Sequence, residues 1–109
     1  MNRGEIWTVS GGGEYTNKPR PCLIVQNGDL TIEDFVIVAV LTSKITAPSP
    51  NRFLLHPTEQ NGLQTQSLVM VDRLKSVKLQ NFGQRIGSLD SDSMFMIERM
   101  LKLLLGLNR

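Results

Sequence analysis

"RPCLIVQNGDLTIEDFVIVAVLT" (residues 20–42) holds the two segments whose reading decides the fold. Residues 22–25 and 35–41 are short, unbroken apolar runs, rich in β-branched side chains and bounded by turn residues. Such runs read as strands covered on both faces. The second strand of the chain is therefore predicted over "RPCLIVQN" (20–27) and the third, the strongest, over "FVIVAVLT" (35–42), with the polar "NGDLTIED" (27–34) between them. Pro21 is compatible with a strand because it falls among the first residues, where its missing N–H does no harm.

The neighbouring segments extend this pattern. "EIWTV" (5–9) is β-branched and aromatic and reads as a first strand. "SGGGEYTNKP" (10–19) is a loop between strands, the kind of place where function tends to sit. "SKITAPSPN" (43–51) is a second loop with Pro48 and Pro50 as breakers, and "RFLLH" (52–56) is a short strand. "PTEQNGLQTQ" (57–66) is turn-rich. "SLVMV" and "LKSVKL" are two strands, or one long bent strand, meeting near Asp72 and Arg73. "NFGQRIGSLD" (81–90) carries two glycines and leads into the last segment.

There the period changes. Met94, Ile97, Leu101 and Leu104 have the spacing of one helical face. Asp90, Ser91 and Asp92 supply N-cap chemistry, Glu98 and Lys102 are four apart in the favourable order, and Gly106 is placed as a stop. Met96, Met100, Leu103 and Leu105 widen the apolar surface. Either the helix packs deep on the sheet or part of this face meets another chain. The sum is an α+β chain, mainly β. A small, strongly curved, barrel-like sheet of short, mostly antiparallel strands precedes a C-terminal helix, in a single domain over 1–109.

Composition narrows the function. Twelve basic residues against ten acidic give a net charge of +2, too mild to mark a nucleic-acid binder unless the cations cluster. The single cysteine, Cys22, excludes an intrachain disulfide and a multi-cysteine zinc site, and reads as a small buried hydrophobe in a reducing compartment. The start has no signal-peptide pattern, and no apolar run approaches the roughly 20 residues of a membrane span. The expectation is a cytoplasmic protein with no membrane contact.

The chain has no GxGxxG, no P-loop, no HExxH and no Cys/His cluster, so neither cofactor nor metal is expected. Its one histidine, His56, precedes Pro57 and reads as structural or merely exposed. No serine has an evident histidine partner. What remains is a polar set at three loop or strand ends: Glu14, Tyr15, Asn17, Lys18 and Arg20; Thr42, Ser43 and Lys44; Gln66, Ser67, Asp72 and Arg73. Arg20 sits between Pro19 and Pro21, which restrict the backbone beside it. Its guanidinium can clamp a phosphate bidentately, and Thr42 and Ser43 offer hydroxyl donors. If the strands adjoin, these groups converge on a phosphodiester. If not, they are ordinary strand-end residues.

The same residues carry a family resemblance. "RGEIWTV" (3–9), "RPCLIVQN" (20–27) and "VIVAVLTSK" (36–44) resemble the signature blocks of the MazF/PemK toxins. "GLQTQSLVMVDRLKSV" (62–77) and "RIGSLDSDSM" (85–94) resemble the later ones, in order and nearly to the end of the chain. The resemblance implies an SH3-like barrel with a C-terminal helix, usually a homodimer. It implies a metal-independent endoribonuclease that cuts single-stranded RNA, chiefly mRNA, at specific sequences, and a cognate antitoxin whose disordered segment covers the RNA groove. The family's arginine falls on Arg20 and its threonine on Thr42. Glu14 is the candidate proton-transfer group of the first loop. Ser43, Lys18, Asn17, Lys44, Asp72 and Arg73 are candidate RNA-binding residues. Some relatives carry an arginine two residues before the matching Asp; here that position is Met70. The alternative on a similar barrel is a non-catalytic toxin like CcdB, which binds DNA gyrase.

Overall fold

The computed structural model describes residues 1–10, 18–30 and 34–107. Six strands precede one helix: β1 (Glu5–Val9), β2 (Arg20–Ile24), β3 (Phe35–Thr42), β4 (Arg52–Leu55), β5 (Ser67–Lys78), β6 (Phe82–Ser88) and α1 (Ser91–Leu104). They form one sheet in the order β4-β5-β3-β2-β1-β6, with antiparallel pairings throughout. The ends of that order, β4 and β6, are not paired with each other among the described residues. The curved sheet is thus a barrel left open along one seam.

Two cores flank the sheet and largely cover 22–24 and 38–41 on both faces, while Phe35 and Ile37 at the start of β3 stay 43% and 42% exposed. Ile6, Leu23, Ala39, Leu41, Val69 and Val71 point to one side and pack with Leu89 and Ile97. Cys22, Ile24, Val36, Val38 and Val77 point to the other, against Trp7, Val9, Val40 and Phe82. Alternation along each strand sends successive residues to opposite cores, which is why β2 and β3 lack a polar face in mid-strand.

The structure selects one of the alternatives left open for β5, and two other details differ from the reading of the sequence. β5 is a single strand, and its pairing with β3 jumps from Met70↔Val40 to Leu74↔Ala39, so residues 71–73 bulge out. β6 is a full strand. Its sequence, FGQRIGS, has two glycines and weak alternation, so little local signal betrays it. The other difference concerns Glu98, which pairs with Arg3 at 2.6 Å rather than with Lys102.

α1 starts and stops where the caps predict. The Asp90 side chain accepts a hydrogen bond from the Ser93 amide at 3.0 Å. At the other end Gly106 adopts φ +72°, and the Leu107 and Gly106 amides donate to the carbonyls of Lys102 and Leu103. Only Ile97 of the helix is fully buried; Met96 and Leu103 are 44% and 66% exposed, so the face wider than one stripe stays largely open. Among the described residues no helix is long and apolar enough to cross a membrane.

The cap makes a pH-dependent prediction. The Ser93 amide holds the Asp90 carboxyl below its ordinary 3.8. A depressed folded-state value stabilises fully above the ordinary one and is lost as the pH falls through the carboxylate range. Asp90→Ala is expected to cost about 1 kcal/mol at neutral pH. The urea midpoints of the variant and the parent should converge on acidification, and a constant gap would argue against the cap.

Candidate RNA-binding face

The register of three central strands brings two of the predicted residues together. β2 and β3 pair as Cys22↔Val40, Leu23↔Ala39 and Ile24↔Val38. Carried on by two residues, the same register sets Arg20, the first residue of β2, opposite Thr42, the last of β3. Both lie on the face of Cys22 and Val40, since residues two apart on a strand share a face. On the other side Arg20 is the partner of Val9 at the end of β1. Arg20 is exposed, and among the described residues it has no ion-pair partner.

Beside this pair runs a groove of about 670 Å³. Its apolar floor includes Val9, Cys22, Val40 and Val77. Its cations are Lys18, Arg20, Lys75 and Lys78, and no described lining residue is a carboxylate. A chain of modest net charge has thus gathered four cations around one concavity. Low-dielectric walls focus such a field and draw in a polyanion. Burial pushes the Cys22 thiol up to about 11, even with Lys75 nearby, so it stays protonated and serves as floor.

Thr42 is half-buried, and its Oγ1 accepts the Lys44 amide at 3.1 Å. That bond tightens the turn after β3 and leaves the hydroxyl proton to donate outward. Ser43 and Lys44 follow, both exposed.

Asp72 and Arg73 lie elsewhere. They sit in the β5 bulge and do not line the groove. Asp72 accepts Arg52 Nε at 3.1 Å, and Arg52 on β4 is the register partner of Met70. Asp72 therefore has a guanidinium partner, supplied by the neighbouring strand rather than from two residues upstream. Arg52, Lys75 and Lys78 were not legible as site residues, because nothing in the sequence tells which strand lies beside which. Glu14, Tyr15 and Asn17 fall outside the described residues.

Glu5 lies on the same face of β1 as Val9 but is already committed. Burial opposes its ionisation, yet the Trp7 indole N–H at 2.9 Å, the Asn2 amide and Arg85 outweigh that and hold the carboxyl below the usual range. Among the described residues, no group of three or more His, Cys, Asp or Glu side chains is arranged to hold a metal ion.

Comparison with known proteins shows the family and the fold. Residues 2–105 match the model of a family described as PemK-like, MazF-like toxins of type II toxin–antitoxin systems. The chain is 35% identical over 107 residues, 98% of each protein, to a probable endoribonuclease MazF of Mycolicibacterium smegmatis. In structure it resembles a mycobacterial endoribonuclease solved with its cognate antitoxin, with a TM-score of 0.81 at 21% identity, covering 100% of this chain and 98% of that one. It also resembles MazF in a MazE–MazF structure from Deinococcus radiodurans, with a TM-score of 0.78 at 18% identity over 97% and 95% of the two chains.

Proposed function

The chain belongs to the family of PemK-like, MazF-like toxins of type II toxin–antitoxin systems, and on that premise we propose that it is an endoribonuclease that cuts single-stranded RNA, chiefly mRNA, without a metal ion. The observation that carries the reading is the register that sets Arg20 against Thr42 at the edge of a cation-lined groove. The 35% identical relative bears the name of an endoribonuclease. The gyrase-binding alternative finds no support in these matches.

The reaction assigned to this face is attack of the ribose 2′-OH on the adjacent phosphate. The new 2′-O–P bond forms as the P–O5′ bond breaks, leaving a 2′,3′-cyclic phosphate and a 5′-OH. Negative charge builds on the phosphoryl oxygens, and a fixed guanidinium at that point stabilises it. Arg20 takes this role and hydrogen-bonds the departing 5′ oxygen, which gains its proton from solvent. Thr42 donates its hydroxyl to a phosphate oxygen, with Ser43 beside it. Glu14 is assigned as acceptor of the 2′-OH proton. Its loop joins Val9 to Arg20, and those two residues are register partners. Lys18, Asn17 and Lys44 are assigned to flanking phosphates, which position the strand without reading its sequence. Asp72 and Arg73 take an outlying RNA-binding role on the β5 bulge.

The reading extends to partners. A single toxin domain over 1–109 would act in the cytoplasm, where its RNA and its antitoxin are found. The antitoxin's disordered segment is an acidic one that orders on the same cations. Met96 and Leu103, seven residues apart and so on one side of α1, leave apolar surface open, which supports a homodimer.

The direct test is incubation of the folded protein with mixed-sequence single-stranded RNA in EDTA. Cleavage should persist, and every new end should be a 5′-OH or a 2′,3′-cyclic phosphate. Absence of cut ends under all conditions, or activity that EDTA removes, would count against the proposal.

A further inference from the structure

A second polar pair lies at the end of the sheet where Thr42 closes β3. Thr42 is the partner of Leu68, and Leu68 of Leu54. The last pair of that ladder is Leu55↔Ser67, and His56 and Gln66 flank it just outside the two strands. Their side chains meet, with Gln66 Nε2 3.0 Å from His56 Nδ1, and both residues are exposed. Two strand spacings, about 10 Å, separate β3, which ends at Thr42, from β4, which His56 follows.

The pairing defines what the two side chains present. With the Gln66 amide donating, Nδ1 accepts, and the neutral ring carries its proton on Nε2, away from Gln66. The pair then offers an outward N–H donor, the free Oε1 acceptor of Gln66 and a flat ring. An unstacked RNA base is recognised by those three features: a face to stack on and complements for its edge.

The pair also stands on a rigid base. Asn61, buried in the loop between them, donates Nδ2–H to the His56 carbonyl at 2.9 Å. Its Oδ1 accepts the amides of Thr58 and Leu63, each at 3.0 Å. The loop in turn is bound to β6 through the Ser88 amide and the Gln60 carbonyl, 2.9 Å apart. A recognition group held in this way loses little freedom on binding.

We propose that His56 and Gln66 form a base-reading subsite that selects one nucleotide near the phosphate held at Arg20 and Thr42. The inference rests on the ribonuclease reading, and it concerns sequence preference rather than the chemical step. A site that hydrogen-bonds a base edge rejects a base lacking the complement, because its own polar groups are then left unpaired.

Two measurements on the full chain test it. The first is sequencing of the ends cut from mixed-sequence RNA by the parent, His56→Ala and Gln66→Ala. The second is imidazole NMR of the parent titrated with single-stranded 2′-O-methyl RNA of mixed sequence, whose nucleophile is blocked. His56 is the chain's one histidine, so its signals need no assignment by mutation. At one position near the cut, base preference should fall about ten- to a hundredfold in His56→Ala, the span of one well-made base contact. Gln66→Ala should relax the same position, and the methylated RNA should shift the imidazole signals. If His56→Ala cuts with the parent's preference and rate, the subsite is overturned while the ribonuclease reading stands. If the parent cuts nothing but its imidazole signals move with the methylated RNA, the subsite stands and the ribonuclease reading falls. If the parent neither cuts nor shows shifted signals, both fall.

Discussion

Arg20→Ala is expected to lower RNA cleavage by on the order of a hundred- to a thousandfold, the loss typical of removing one preorganised stabiliser of a transition-state oxyanion. Arg20 opens β2 between two prolines, next to the buried Cys22, Leu23 and Ile24, so its backbone is stiff and anchored. Among the described residues no carboxylate pairs with the guanidinium, and Lys18, Lys75 and Lys78 around the same groove add to its field toward an incoming phosphate. Proximity of this kind acts on kcat, because charge at phosphorus grows only as the 2′ oxygen attacks. The side chain is exposed, so the variant should keep the parent's circular dichroism and urea midpoint. Arg20→Lys should recover only part of the rate, since an ammonium cannot grip two oxygens in one plane. A folded Arg20→Ala that cuts RNA at the parent's rate would falsify the assignment.

Gly62→Ala carries the largest expected effect on stability, about 2–5 kcal/mol. Gly62 has φ +68°, where a Cβ costs about 1 kcal/mol or more. A methyl there would also stand 1.9 Å from the Ile86 carbonyl oxygen and 2.8 Å from its carbon. Those atoms belong to the backbone of β6, so no side chain can turn aside. Either the loop lifts off the strand or β6 shifts against β1, and overpacking of this sort costs about 1–3 kcal/mol more. The loop cannot lift freely, because Asn61 and the Ser88–Gln60 hydrogen bond hold it down. Urea denaturation should show a lower midpoint at unchanged slope. A midpoint within experimental error of the parent would mean that the loop packs less tightly on β6 than described.

Much of the architecture was legible residue by residue. The apolar runs at 22–25 and 35–41 located β2 and β3, and EIWTV located β1. Asp90 and Gly106 marked the ends of α1 because capping depends on a few adjacent residues. β6 escaped because its glycines and polar residues carry little strand signal of their own. It is held by pairing with β1, some 80 positions away in sequence order.

The family was legible in the blocks around Arg20 and Thr42, and the match over residues 2–105 bears that out. By itself the sequence determined which segments extend, where the helix begins and ends, and which short motifs carry side chains chemically suited to a phosphate. Each of these follows from alternation, turn chemistry or capping within a few residues. Only the tertiary structure decided that Arg20 faces Thr42, that Lys75 and Lys78 join the groove, that Arg52 meets Asp72 and that His56 meets Gln66. The physical reason is that a strand's own residues define its two faces but not its neighbours. Pairing and register follow from burying both cores at once, and a shift of one residue would turn every one of these side chains to the other side.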